Sequence, residues 1–339
     1  MKRARVTGDV SEAATVSATS SDTAEMPSPT RGSILLSWTR RVVVVAVVAS
    51  ATLQLVRQWS DVSDALAELS WPRLVVSALA VTAGVLLSPL VWQSMLAALD
   101  VRVGVRDASK IYLVGQLGKY VPGSVVAILL QMELARSVGI TRARSFTASL
   151  LTAGVVVVAS LLAGTLAIPA FVRNEPGLMW LFVLLPIGLA MLHPRPLTVA
   201  VNLVLRLLRR APLPHRLSGA AVARAAGLSV LTYALYGLHL YALAAALRGT
   251  WQVNAGIVLL LCVGSMGLAM TAGLVAFFLP SGIGARELVI VGGLATVLPY
   301  GQALALAVVS RLLFTLVELT SAGAAALVVK LSRGRPQQS

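Results

Sequence analysis

Residues 74–99, 145–171, 225–247, 256–278 and 303–329 are apolar stretches, and the first four carry no charge at all. Each is long enough to cross a bilayer, which takes about 20 apolar residues in a helix. This feature restricts the fold more than any other. In hydrocarbon every backbone N–H and C=O must bond within the protein, so only helices and closed barrels span a membrane. Barrel strands are short and alternate in polarity, whereas these runs are long and continuous. Shorter apolar runs at 42–56 and 178–192 add two spans, and residues 287–298 add a half-length one. The expected fold is all-α: a polytopic helical membrane protein of about eight transmembrane helices, one or two of them re-entrant or broken.

Charge content agrees. Only 12% of the 339 residues are charged, about half of what a soluble domain carries. The formal net charge is +15, a value that raises nucleic-acid binding as an alternative. The basic residues sit mostly at the ends of the apolar runs, however, where orientation and anionic lipid account for them. No nucleic-acid partner is expected. The same bias puts both termini in the cytoplasm of a multi-pass plasma-membrane protein. Residues 1–32 are polar and read as a disordered cytoplasmic tail rather than a signal peptide. Residues 33–331 form the membrane domain, and 332–339 a short cytoplasmic tail. Cys262 is the lone cysteine, and His193, His215 and His239 lack metal-ligand spacing. Neither a metal nor a cofactor is expected. His239 lies within an apolar run and reads as a packing residue before a proton relay or a substrate contact.

One break stands out. Residues 279–287 read Leu-Pro-Ser-Gly-Ile-Gly-Ala-Arg-Glu between two apolar segments. Backbone groups freed at Pro280, Gly282 and Gly284 need partners, and Arg286 beside Glu287 is expensive near hydrocarbon. Two readings follow. Ser281, Gly282 and Gly284 lead into a helix whose free N–H groups face a cavity and favour an anion such as phosphate. Alternatively, this is a short cytoplasmic loop with Arg286 as a topology anchor.

A second irregularity occupies residues 111–134. Its apolar arms flank Gly118-Lys119-Tyr120-Val121-Pro122-Gly123-Ser124, and Glu133 follows. Neither arm spans a bilayer at about 1.5 Å per residue. A re-entrant hairpin turning at Pro122-Gly123, with Ser124 capping its second helix and Lys119 nearby, fits the pattern. So does an amphipathic hairpin on the cytoplasmic surface. Both irregularities place a Pro/Gly break before a glutamate, the kind of pairing that points to a transporter site.

Residues 303–329 carry Arg311, Thr315 and Glu318 on one helical face. Arg311 and Glu318 stand about 10.5 Å apart along the axis, too far for a tight pair. Arg286 and Glu287 are their expected partners. The cluster is either a site or an ion-pair network that holds helices together.

On these residues the chain resembles the membrane region of lysylphosphatidylglycerol synthases and their stand-alone relatives. Similarity runs over about 42–331. It is carried by 112–139, with the Gly118-to-Gly123 turn, and more specifically by Pro280, Gly282, Gly284, Arg286 and Glu287. The resemblance implies a lipid-translocating domain of a bacterial plasma membrane. It does not carry over synthase activity, because nothing after residue 331 could form a catalytic domain. Among stand-alone relatives, glycolipids and polyprenyl-phosphate-linked sugars are suspected cargo.

The expected function is a flippase or transporter for a phospholipid or a polyprenyl-phosphate-linked lipid. Lys119, Arg286 and Arg311 supply positive charge, and Gly123, Ser124, Ser281, Gly282 and Gly284 supply helix ends. Glu287 and Glu318 hold the arginines, and Glu133 completes the hairpin's share of the site. The partner is a membrane lipid, and a homo-oligomer is compatible with the sequence. The alternatives are an intramembrane enzyme acting on a lipid-linked substrate, and a non-catalytic membrane subunit of another protein. No aspartate after Asp107 and no histidine near the cluster speaks for the enzyme.

Overall fold

Helices of this apolarity bury no stripe against water, so shape and small residues decide how they pack. The structure, a computed structural model, describes residues 69–120, 125–169, 193–207, 217–247, 253–276 and 282–333, with isolated positions elsewhere. No strand occurs among the described residues. The helices are α1 (Trp71–Ala97), α2 (Val105–Gln116), α3 (Val125–Arg136), α4 (Arg142–Gly164), α5 (Pro194–Leu207), α6 (Gly219–Ala244), α7 (Ala255–Val275), α8 (Ala285–Leu294) and α9 (Tyr300–Arg333). A 3-10 turn, Leu117–Tyr120, extends α2, and another, Thr165–Ala167, extends α4.

Among the described residues five helices are long and apolar enough to cross a membrane: α1, α4 with its extension, α6, α7 and α9. They correspond to the five long apolar runs. The spans expected at 42–56 and 178–192, and both tails, lie outside the described residues. The half-length span expected at 287–298 proves to be a 10-residue helix, α8. At about 1.5 Å per residue it is ~15 Å long, half a bilayer core. It packs between α7 and α9 and is not a span.

Small residues let the spans approach closely. A Cβ on Gly264 would fall 2.3 Å from the Ala167 backbone nitrogen, and one on Gly267 would fall 2.5 Å from the Ser160 carbonyl. The stripe of small residues in α7 therefore seats that helix directly on α4. The faces left outside are apolar, as at Leu312, Leu316, Leu319 and Leu327 of α9, which suits contact with lipid tails. His239 is fully buried. Its Nδ1 lies 2.7 Å from the Ser77 hydroxyl and its Nε2 lies 2.9 Å from the Ser310 hydroxyl. Both ring nitrogens are satisfied, and the ring ties α1, α6 and α9 together. That is the packing role. In α5, Leu197, Val201 and Leu205 are buried at a spacing of four, while Arg195 and Arg206 are exposed. This makes α5 an amphipathic helix.

Helices α2 and α3 form the hairpin. A Cβ on Gly118 would meet the Ala127 backbone at 2.6 Å, and one on Gly115 would meet the Gln131 side chain at 2.2 Å. The two backbones therefore touch along the arms. Each arm has 12 residues, about 18 Å. The 3-10 tip ends against Glu318, roughly 27 Å along α9 from Tyr300 and ~22 Å from Arg333. A hairpin that reaches the middle of a membrane-length helix is re-entrant rather than a surface element. Its turn, with Pro122, Gly123 and Ser124, lies outside the described residues.

Candidate functional site

The chain leaves α7 at Ala276 and re-enters helix at Ala285. Gly282 takes φ +64° and Gly284 takes φ +89°, a region that L side chains rarely occupy. Gly282 also lies against α7, where a Cβ would come 2.4 Å from the Gly273 Cα. Both constraints demand glycine. Gly282→Ala is expected to destabilise the protein by roughly 2–4 kcal/mol, from backbone strain and overpacking together. Gly292 is an exposed helical glycine of α8 whose added Cβ would meet nothing. Gly292→Ala should be neutral or stabilising by up to about 1 kcal/mol. Thermal unfolding of the two variants in one detergent measures the contrast.

Glycine geometry aims the first turn of α8. Glu287 turns back, and its Oε2 accepts from the Gly284 N–H at 2.7 Å, so this helix end is partly closed by its own side chain. The other carboxylate oxygen of Glu287 lies 3.5 Å from Arg311 Nη1. Arg311 and Glu287 are therefore the partners expected of each other. Glu318 departs from expectation: its partner is not Arg286 but the hairpin tip. Lys119 Nζ donates to Oε1 and the Tyr120 hydroxyl donates to Oε2, both at 2.6 Å. Glu318 thus closes the hairpin onto α9, and the Lys119 charge is already neutralised.

That leaves Arg286. It is 6% exposed. Its guanidinium carbon lies 3.9 Å from the centre of the Phe314 ring, a cation–π contact. Its Nε and Nη2 have no hydrogen-bond partner among the described residues. Three cations and two carboxylates make up the cluster; Glu318 pairs with Lys119 and Glu287 with Arg311, and both carboxylates act on Arg286 only from beyond ion-pair distance.

These groups face a cavity of about 400 Å³ between α1, α2, α3, α4, α6, α7, α8 and α9. Arg286, Lys119 and Glu318 are its charged lining residues, and Gly282 forms part of the wall. Sequence reasoning missed Tyr112, Gln116, Gln131, Tyr233 and Tyr236, which also line it. The available signal was two glutamines in a hairpin otherwise too apolar to carry them. Phe314 was missed too, although it lies one turn before Glu318.

Not every candidate residue gathers here. Glu133 is 57% exposed, away from the cavity. It pairs with Arg142 at 2.6 Å and with Arg136 at 3.6 Å. The expectation that it completes the site is corrected: it lies at the basic end of α3, where the chain turns into α4. The Arg142 hydrogen bond holds its carboxyl below the usual carboxylate range. A depressed pKa contributes stability above the ordinary carboxylate value, and that contribution is lost as the pH falls through the depressed one. Gly123, Ser124 and Ser281 lie outside the described residues.

Comparison with curated proteins returns no match. The family model described as the lysylphosphatidylglycerol synthase TM region matches residues 41–322, a stretch that contains the hairpin, the break, Arg311 and Glu318. The chain belongs to the lysylphosphatidylglycerol synthase transmembrane-region family, whose description ties it to membrane lipid.

Proposed function

We propose that the protein is a transporter, not an enzyme, that carries a phosphate-bearing lipid across the bacterial plasma membrane, with both termini in the cytoplasm. The observation behind this reading is the Arg286 side chain, a buried cation with two hydrogen-bond donors free beside a cavity. Nε–H and Nη2–H lie on one edge of the guanidinium and point the same way. That edge is the fork that binds a phosphate or carboxylate through two parallel hydrogen bonds. A buried charge lacking such a partner is strongly unfavourable, so the site favours an anionic guest.

Two elements stop midway through the bundle and meet at this cavity, the hairpin tip and the start of α8. Broken elements facing one another at mid-depth are the usual framework of a transport site. The phosphate occupies the Arg286 fork, the head group fills the cavity, and the acyl or prenyl chains stay among lipid tails. The Lys119/Glu318 contact closes one side and opens as the hairpin moves.

The test is translocation in proteoliposomes. Phosphatidylglycerol with a fluorophore on one acyl chain is bleached from outside by dithionite. The reading expects protein to expose the inner-leaflet fraction faster than in empty vesicles. Equal bleaching with and without protein would sink it.

A further inference from the structure

We infer that the cavity opens sideways into the hydrocarbon between the start of α3 and the end of α7, and that the hydrocarbon chain of a lipid held at Arg286 leaves through this opening, past Leu274. The inference rests on the transport reading and adds the path taken by the apolar part of the guest.

Helix α4 is the common wall, and two helices cover it from opposite ends. From the basic end comes α3. Its Gln131 Oε1 accepts from the Ser149 hydroxyl at 2.7 Å, at a point about 10.5 Å along α4 from Arg142. Helix α3 starts at Val125, which takes it to a height of ~20 Å above Arg142. From the other end comes α7, antiparallel to α4, with Gly264 against Ala167 and Gly267 against Ser160. The Thr271 and Ser160 hydroxyls meet about 27 Å from Arg142. Helix α7 then ends at Val275, ~21 Å from Arg142. Both helices therefore stop at mid-depth. Helix α3 packs on α2 and α4, and α7 packs on α4, α6 and α8. No packed interface joins α3 to α7 among the described residues. The strip of α4 beside their ends, Ala153, Val156 and Val157, lines the cavity.

Exposure locates the opening. Among the described lining residues Leu274 alone is exposed, at 47%. One side chain therefore faces both the cavity and the outside. Its height, about 22 Å above Arg142, lies well inside a hydrocarbon core of ~30 Å, so the outside here is lipid and not water. Val275 is exposed beside it, and on α3 Leu129 is exposed next to the cavity-lining Ile128. This rim offers neither a charge nor a side-chain hydrogen-bonding group, and polar groups would be unfavourable there. A hydrocarbon chain needs none. The rim also adjoins the phosphate fork. A Cβ on Gly273, the residue before Leu274, would lie 3.9 Å from the Arg286 Cβ. A phosphate on Arg286 thus has the opening next to it, and its chain reaches the bilayer without crossing the polar wall.

The test places the photoreactive residue p-benzoylphenylalanine at Leu274 of the full chain. Leu316, on the lipid-facing side of α9 and outside the cavity wall, carries it in the control. Each protein is stripped of lipid in dodecyl maltoside, given stoichiometric phosphatidylglycerol and illuminated. Mass spectrometry then weighs the adduct and locates the bond. Position 274 is expected to capture the lipid by an acyl chain, about tenfold or more over position 316, and to lose this excess in Arg286→Gln, the scale of one charge-assisted fork. Native mass spectrometry of the same proteins without the photoreactive residue reads lipid retention itself. Equal capture at the two positions, with retention still lost in Arg286→Gln, overturns the opening and leaves the transport reading intact. A cross-link from position 274 to a second copy of the chain also overturns the opening. Retention indifferent to Arg286→Gln overturns both.

Discussion

Arg286→Met is expected to leave thermal stability at or above the wild-type level. Lipid retention and translocation fall by at least about 30-fold, the lower end of the roughly 2–5 kcal/mol for truncating one partner of a buried charge pair. Stability and function separate because of how this arginine is held. It is buried, and two of its nitrogens lack acceptors. Each unsatisfied buried donor costs about 1–3 kcal/mol in the empty protein, offset in part by roughly 0.5–2 kcal/mol from the Phe314 face. Methionine keeps an unbranched stem against Phe314 and removes both the charge and the unmet donors. Arg286→Lys keeps the charge and loses the fork, so it should bind lipid more weakly than wild type and more tightly than the methionine variant. Scanning fluorimetry and lipid retention on the same samples decide. A methionine variant that unfolds early and loses lipid in proportion would make Arg286 a structural group.

The second large effect belongs to the latch. Glu318→Leu removes the acceptor of both Lys119 and Tyr120 and strands an ammonium inside the bundle. Removing one member of a buried pair costs about 3–5 kcal/mol. Lys119 is 27% exposed and Glu318 16%, so the loss should fall at the lower end. Lys119→Met should behave much like it. The double variant should recover most of the stability, since no charge is left uncompensated. On the proposed function it should still fail to transport, because the hairpin has lost the contact that the proposed cycle makes and breaks. Additive stability losses would show that the two residues do not act as a pair. A fully active double variant would remove the latch from the mechanism.

The helical framework was legible because membrane solvent leaves so few choices. An apolar run of 20 or more residues has to be a helix, and the five long ones are. The half-helix α8 was legible as an oddity but not as a length, since Pro280 marks a break without saying how far the chain has descended. Arg286, Glu287, Arg311 and Glu318 announced themselves as charges in apolar sequence. Their pairing was legible only in part. Arg311 meets Glu287 as helix geometry suggests, whereas Glu318 finds Lys119 across 199 positions, a contact decided by how far the hairpin inserts. Glu133 misled because it follows a broken apolar arm just as Glu287 follows a break. Spacing along one chain cannot say that the first glutamate emerges at the basic end beside Arg142 while the second turns inward. The neutral wall of the cavity was least visible, because a threonine or tyrosine in a membrane helix looks the same whether it faces a neighbour or a guest.

The central claim is that a lipid phosphate occupies the free edge of Arg286. A cryo-electron microscopy structure of the protein in phosphatidylglycerol nanodiscs tests it most directly. The account predicts phosphate density within about 3 Å of both Nε and Nη2, the distance of charge-assisted hydrogen bonds. It also predicts acyl-chain density leading from the cavity toward the lipid. An empty cavity, with those two nitrogens bonded to a protein carboxylate or carbonyl, would contradict it.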